Sequence, residues 1–344
     1  MTGMIDKCHQ PLPDNGMARE KTSGRTGEEP PAGVPTEFDD AVMWAAWLYY
    51  ADQMTQSEIA KQLNVSRATI VNYLQEARER GIVSVNINPK AGGRTSVARA
   101  LMEKFGLQGA FVIPSGDEDS LSQRLGDAGA RVLADQIEDG DTIGVAWGRT
   151  VLAVADRISL ARPVGNLTVV QVSGSSTGEP NFSPELCTSL LSNRIHARCV
   201  NLLAPAVLST RELKAALLNE PVLKKQMELV HSTNRILFGV GDIGPKSTVR
   251  ASGIASKEEI DDYVARGAAA VIIGRFIDSH GAAIGGDHDE RMVGISLDEL
   301  KQVASRICVA GGAVKIAAIT ATLEAGYATH FVTDIATGEA LLAA

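Results

Sequence analysis

The chain has 344 residues, of which 44% are hydrophobic, 22% charged and 4% aromatic, and it contains 33 glycines. This composition predicts more than one globular domain with a sizeable core, and it excludes a fibrous or coiled-coil protein. The longest apolar runs, such as 268–273, are far shorter than the roughly 20 residues of a membrane-spanning helix. Residues 1–20 lack the apolar segment of a secretory signal, so we expect a soluble, cytoplasmic protein.

The formal net charge is −8, but the charges are unevenly distributed. Residues 54–90 contain five basic and three acidic residues, so a mildly basic segment contrasts with an acidic remainder. This asymmetry is compatible with phosphate contact confined to one segment. The four cysteines lie far apart without a C-x-x-C pair, which predicts reduced thiols and neither a zinc site nor a disulfide framework.

Residues 1–37 are rich in proline and glycine and have no apolar period, so we predict a disordered tail. A first helix is predicted from about Phe38 to Gln53, because apolar residues recur there at helical spacing. The pair Thr55 and Glu58 predicts a capping box at the start of a short second helix.

A third helix is predicted to begin after Ser66, a good N-cap, and to end at Gly81. Its predicted inward residues are Ile70, Val71, Leu74 and Ala77. A short strand over 82–87, where apolar and polar residues alternate, would complete a domain at 38–88.

This domain has the architecture of a helix-turn-helix, with a capped support helix, a tight turn, and a helix whose outer face is polar and basic. The DNA major groove, about 12 Å wide, admits such a helix. We therefore predict DNA binding, although the same side chains could be only a solvated surface. Arg67 is suited to guanine and Asn72 to adenine, while neighbouring hydroxyl and amide groups could bind phosphates. The candidate DNA contacts are Thr55, Gln56, Ser66, Arg67, Thr69, Asn72, Tyr73 and Arg78.

After Pro89 the pattern alternates between strands and helices, which predicts a mostly parallel α/β sheet covered by helices on both faces. A connecting helix is expected within 89–106, at about 94–105, followed by a large domain at 107–344. The predicted strands are 110–113, 142–146, 167–172, 199–203, 235–240, 269–273, 307–310 and 330–333.

Several of these strands are followed by residues suited to ligand binding, because open parallel sheets bind ligands at the carboxyl ends of their strands. After the second strand, Gly148 lets a ligand approach the backbone, and Arg149 and Thr150 begin a helix. A purely structural turn there remains an alternative. The residues Gln171, Ser173 and Gly174 follow the next strand, and we expect them to line the same crevice.

The sequence GVGDIG at 239–244 matches G-x-G-x-x-G, the pattern of dinucleotide-binding loops. Pro245 follows directly, and a helix is predicted only near Ser256, so the match is weak. We favour a pocket loop with Asp242 near the ligand, while a structural glycine turn remains open. No cofactor is predicted.

In both parts the chain resembles the SorC/DeoR-type family of bacterial sugar-responsive transcriptional regulators, over residues 40–344. The resemblance rests on TQSEIAKQLNVSRATI at 55–70, IGVAWGRTV at 143–151, VVQVSG at 169–174, NLLAP at 201–205, FGVGDIG at 238–244, GRFIDSHG at 274–281, AGGAVKIAAITATL at 310–323 and HFVTDIATGEALL at 330–342. It implies a domain similar to phosphosugar isomerases that binds a sugar, polyol or sugar phosphate, and a homodimer or homotetramer on operator DNA.

The resemblance further implies that Gln171, Asp278 and Lys315 are polar ligand contacts. Asp278 and Lys315 could instead form an ion pair with each other. The segment SHGAAIGGDHDE at 279–290 contains two histidines among acids, but its spacing fits no known metal motif, so we predict no metal. Neither a hydrolase elbow nor a P-loop motif occurs.

The resulting hypothesis is a regulator of a carbohydrate or polyol catabolic operon that is not an enzyme. A small effector would control its affinity for the operator. The alternative is a phosphosugar isomerase-like enzyme with an appended DNA-binding module, in which Asp278 or Asp242 would act as base and Lys315 as electrophile. A third possibility is a DNA-binding scaffold with a vestigial pocket.

Overall fold

The computed structural model describes residues 34–35, 38, 40–83, 95–176, 180–245 and 247–344. The chain divides into two compact units, Met1–Val85 and Asn86–Ala344. Most of the predicted tail at 1–37 and of the predicted strand at 82–87 lies outside the described residues. Within those residues, none of the helices combines the length and the apolar character needed to cross a membrane.

The first unit contains three helices, α1 (Ala41–Tyr50), α2 (Gln56–Gln62) and α3 (Arg67–Glu79). They share one apolar core, whose fully buried members include Ala45, Ile59, Leu63, Ile70 and Ala77. Helix α1 ends earlier than the predicted Gln53, because Gln53 has a left-handed backbone with φ of 57° and cannot continue a right-handed helix.

The predicted caps of α2 and α3 are confirmed. Thr55 and Glu58 form a reciprocal capping box, and the Ser66 hydroxyl accepts a hydrogen bond of 3.0 Å from the Thr69 amide. The prediction for Val71 was wrong, since its side chain is 42% exposed. Successive residues of a helix point about 100° apart around its axis. Val71 therefore points away from the buried face that Ile70, Leu74 and Ala77 form.

The second unit is built on a seven-stranded sheet in which all strand pairs are parallel. Its strands are β1 (Gly109–Ile113), β2 (Thr142–Val145), β3 (Thr168–Gln171), β4 (Arg198–Val200), β5 (Arg235–Phe238), β8 (Ser305–Val309) and β9 (His330–Asp334). Their order across the sheet is β1-β9-β8-β5-β2-β3-β4. The predicted parallel α/β fold is confirmed.

Helices cover both faces of this sheet, and the sheet separates two apolar cores. Neighbouring strand residues belong to different cores, as Phe331 and Val332 do in β9. The helices are α4 (Ser96–Phe105), α5 (Glu118–Gln136), α6 (Arg149–Arg157), α7 (Pro184–Arg194), α8 (Arg211–Leu218), α9 (Pro221–His231), α10 (Thr248–Ala251), α11 (Lys257–Ala265), α12 (Asp287–Arg291), α13 (Leu297–Gln302), α14 (Ile316–Glu324) and α15 (Ile335–Ala343). The predicted connecting helix corresponds to α4, which packs into one of these cores.

The predicted strand at 269–273 lies outside the main sheet. It is β6 (Ala268–Ile272), which pairs antiparallel with a strand that we did not predict, β7 (Arg275–Asp278). The two strands are joined by Ile273 and Gly274 alone, and both residues have positive φ, 52° and 81°. A short apolar run predicts a buried strand but not the sheet to which it belongs, which is why the assignment failed.

The two histidines of the segment at 279–290 have different surroundings. His280 is exposed, whereas His288 is buried at the edge of the stacked rings of Tyr263 and Phe276. Among the described residues, no group of three potential metal ligands occurs. Burial lowers the pKa of His288; the carboxylate of Glu259, 3.8 Å away, opposes this shift.

We predict that removing the Ser66 cap destabilises α3. Ser66→Ala should cost about 1 kcal/mol, because the Thr69 amide loses its acceptor. The measurement is amide hydrogen exchange of α3 in the full chain. Ser57→Ala, at an exposed position of α2, is the matched control. Equal exchange in the two variants would contradict the assigned cap.

We further predict that His288 makes stability depend on pH. The unfolded state takes up a proton near the usual histidine pKa of about 6.5, whereas the folded state resists it, so stability should fall as the pH drops below that value. His288→Phe should reduce this loss in urea unfolding between pH 5 and 8, because neither ring nitrogen has a hydrogen-bond partner among the described residues. The control is His280→Gln, and equal pH dependence in both variants would refute the prediction.

Candidate functional site

A cavity of about 880 Å³ lies at the carboxyl ends of β2, β5 and β8, which are adjacent in the sheet. The segments that follow these strands line it, at 147–151, 239–245 and 311–315. Strand β6 with the turn that follows it, the first turns of α5, and residues of α10 and α14 complete the lining. Ligands of open parallel sheets bind at this edge, so the cavity is the candidate effector site of the second unit.

Five of the nine predicted effector residues line this cavity: Gly148, Arg149, Thr150, Asp242 and Lys315. Gly148 has φ of 121°, a conformation that favours glycine, and it directly precedes α6. The side chains of Arg149 and Thr150 therefore enter the lining from the first turn of a helix.

The loop at 239–244 does not have the form of a dinucleotide-binding loop. The Asp242 carboxylate accepts a hydrogen bond of 2.9 Å from the Gly244 amide and so closes a local turn. The next helix, α10, begins only at Thr248 and has four residues. This helix precedes the predicted one, which begins after its Ser256 cap as α11.

Lys315 contributes a second cation to the cavity. It ends a short 3-10 helix, Ala313–Lys315, and is half-buried. Burial lowers the pKa of its ammonium group, the Arg149 charge adds to this shift, and Asp242 opposes it. Within the described residues, this ammonium donates no hydrogen bond. An anionic ligand group would supply the acceptors that the two cations lack.

The other four predicted effector residues lie outside the cavity lining. Gln171 is fully buried, donates a hydrogen bond of 2.7 Å to the Ser173 carbonyl and accepts one of 3.3 Å from the Leu202 amide. Ser173 is also buried, and a side chain at Gly174 would clash with the carbonyl of Pro205. Gln171 and Gly174 thus hold the chain after β3 in place, and effector contact by these three residues stays a prediction.

The Asp278 side chain also forms hydrogen bonds with the nearby backbone. Its carboxylate accepts hydrogen bonds of 2.9 Å from the amides of His280 and Ala282, in the turn that follows β7. The charges that act on Lys315 are those of Asp242 and Arg149, and the alternative ion pair with Asp278 does not form.

Sequence reasoning missed several residues of the lining. Trp147 is stacked on Phe182, with ring centroids 6.4 Å apart, and its indole nitrogen is buried without a hydrogen-bond partner in the described part of the chain. The guanidinium of Arg149 lies 5.9 Å from the same phenylalanine ring. The aromatic residue at the start of the WGRTV motif was the available signal. Ile273, in contrast, could be taken only for a core residue.

In the first unit, the predicted DNA contacts lie along α3 and at the N-terminal ends of α2 and α3. Arg67, Asn72 and Arg78 are exposed, while Thr69 and Tyr73 are half-buried. Thr55 and Ser66 use their hydroxyl groups as helix caps.

Two side-chain hydrogen bonds connect polar residues of α3 to the other helices of this unit. The Arg67 guanidinium donates a hydrogen bond of 3.3 Å to the Gln56 amide oxygen, and Arg78 lies 3.5 Å from the Tyr50 hydroxyl. Arg67 and Gln56 are therefore held together at the start of α3, whereas Tyr73 and Arg78 lie further along the same helix.

Comparison with known proteins connects these two units to one family. A family model described as "HTH domain" matches residues 46–93, and one described as "Putative sugar-binding domain" matches residues 90–343. The protein described as "Uncharacterized transcriptional regulator YjhU" of Escherichia coli K12 is 35% identical over 312 residues, which cover 89% of this chain and 95% of that protein. The "Deoxyribonucleoside regulator" of Bacillus subtilis is 29% identical over 301 residues, 87% of this chain and 96% of that protein.

The fold is shared with solved structures of such regulators. The crystal structure of the full-length sorbitol operon regulator SorC from Klebsiella pneumoniae superposes with a TM-score of 0.71 at 29% identity, covering 88% of this chain and 97% of that one. A probable sor operon regulator from Shigella flexneri gives a TM-score of 0.66 at 27% identity and covers 72% of this chain and 98% of that one. The chain therefore belongs to the SorC/DeoR-type family of transcriptional regulators, with a helix-turn-helix domain followed by a domain of the sugar-binding family.

Proposed function

We propose that this chain represses or activates transcription by binding operator DNA through α3, and that an effector bound in the cavity controls the affinity for the operator. The observation that carries the proposal is the position of Arg149 and Lys315. Both cations lie where three adjacent strands end, and the Lys315 ammonium has no hydrogen-bond acceptor among the described residues. The same chain carries a helix-turn-helix domain.

The proposed effector is a small sugar, polyol or sugar phosphate. The named relatives support this class, since one is a regulator of a sorbitol operon and another a deoxyribonucleoside regulator. The volume of about 880 Å³ lies within the usual range of small-molecule sites, about 300–1,000 Å³. Either a phosphate or a carboxylate would suit the two cations.

We propose further that the protein acts in the cytoplasm as a homodimer or homotetramer. A single helix-turn-helix contacts one half-site, and two copies related by a two-fold axis would bind a palindromic operator. An effector that binds one arrangement of the assembly more tightly than another then changes the fraction of protein molecules that are able to bind DNA.

The proposal includes that the chain is not an enzyme. An isomerase would need a base and an electrophile within reach of one substrate. One candidate base, Asp278, accepts hydrogen bonds from two backbone amides outside the cavity. The cavity itself then offers only Asp242 as a candidate base and Lys315 as a candidate electrophile, of those named for an isomerase. We expect a bound sugar phosphate to be recovered chemically unchanged after incubation with the protein.

The coupling between the two ligands is tested by titrating each against the other. A thermal-shift screen of sugars, polyols and their phosphates identifies a bound compound, because ligands of the native state raise its stability. That compound should change operator affinity by some factor, and the operator should change the affinity of the compound by the same factor. Lys315→Met should weaken effector binding about tenfold to a hundredfold, because a hydrogen-bonded charge is lost, while the free protein still binds operator.

The control for this titration is Lys225→Met, which removes an exposed lysine of α9 outside the cavity. Its effector response should equal that of the unmodified protein. The proposal fails if the two coupling factors differ, or if Lys315→Met responds to the effector with unchanged affinity.

Base recognition by Arg67 is tested separately. Arg67→Ala should cost about 1–3 kcal/mol of operator affinity and relax preference at one operator position, while effector binding is retained. The readout is a gel-shift series over single-base operator variants. Arg198→Ala removes an exposed arginine of β4 in the other unit and serves as the charge-matched control. An unchanged preference at every position would exclude Arg67 from base recognition.

A further inference from the structure

One side of the effector cavity is made of hydrocarbon side chains. Val271 and Ile273 of the β6–β7 hairpin line it, and Ile243 and Val249 of the neighbouring segments line it as well. Val271 belongs to the same apolar cluster as Val249, against which Ile243 packs. We call these four residues the apolar wall. Arg149, Asp242 and Lys315, by contrast, come from the segments that follow β2, β5 and β8, and the acidic Glu118 lines the cavity from the start of α5.

The conformation of Ile273 is unusual for its residue type. Ile273 and Gly274 form the complete two-residue connection between β6 and β7, and both have positive φ. Such hairpin turns favour Asn-Gly, because a β-branched side chain is strained in the left-handed region. A strained residue that lines a ligand cavity suggests that its side chain has a role there.

The backbone fixes Val271 relative to the charged loop. Val271 and Gly241 exchange two backbone hydrogen bonds of 2.9 Å, so β6 is joined to the loop that carries Asp242. The position of the apolar wall is therefore set by the same contacts that position a polar cavity residue. A ligand whose charged group reaches Lys315 and Arg149 would face both kinds of surface.

We propose that Val271 and Ile273 make this cavity selective for an organic anion with a hydrocarbon edge, namely a deoxy sugar phosphate or deoxy sugar acid. This inference rests on the proposed function, in which the cavity is the effector site. A hydroxyl group pressed against the apolar wall would lose its water without gaining a hydrogen bond. The fully hydroxylated analogue should therefore bind about tenfold to a hundredfold more weakly.

The test uses matched pairs of compounds that differ by one hydroxyl group. The phosphate pair is 2-deoxy-D-glucose 6-phosphate and D-glucose 6-phosphate, and the carboxylate pair is 2-keto-3-deoxy-D-gluconate and 2-keto-D-gluconate. Calorimetric titration of the full chain gives the four dissociation constants. We expect the deoxy member of at least one pair to bind tighter by the stated factor, and the pair that binds identifies the anionic group.

Two variants assign this selectivity to the apolar wall. Val271→Thr keeps the side-chain shape and adds a hydroxyl group that can pair with the ligand, so the ratio of the two dissociation constants should fall towards one. Ile273→Asn suits the left-handed turn and should have the same effect without preventing folding. The control is Val169→Thr, a buried position in β3 outside the cavity, which should leave the ratio unchanged.

The inference is overturned if the hydroxylated members bind as tightly as the deoxy members, if none of the four compounds binds, or if both wall variants keep the original ratio. None of these results bears on operator binding. A gel shift with the operator, measured on the same protein, therefore separates failure of this inference from failure of the proposed function.

Discussion

The parallel pairing of the central strands is the constraint on which the candidate site depends. Because β8, β5 and β2 are neighbours and run in the same direction, the segments that follow them must emerge at one edge of the sheet. Residues that are about 90 positions apart in sequence thus line one cavity, as Arg149 and Asp242 do. The apolar cores on the two faces of the sheet maintain this arrangement, and the loops at its edge are left to vary in chemistry.

Local features could be predicted from the sequence, and features that depend on distant contacts could not. The caps at Thr55 and Ser66 were predictable, because a cap involves residues only three positions apart. The five residues found in the cavity follow strands whose place in a parallel sheet was predicted. Asp278 and Gln171 illustrate the limit: a polar residue after a strand is equally suited to a ligand and to its own backbone, and here the backbone is its partner.

The energetics of Lys315 connect effector binding to stability. Keeping an ammonium group half-buried beside a second cation is unfavourable, and this is why its pKa is lowered. A bound anion would remove that penalty and add charge-assisted hydrogen bonds. The cavity would then be least stable without its ligand. In such a site, an anionic ligand gains binding free energy from groups that the fold leaves unsatisfied.

The strained turn at Ile273 and Gly274 affects which substitutions in the cavity this protein can tolerate. Most substitutions in a ligand-binding cavity reduce stability, which limits how far the ligand can change in small steps. At this turn, a polar residue such as asparagine would relieve backbone strain while it altered the cavity. The hairpin is thus a place where descendants of this chain could acquire a new effector with little loss of folding stability.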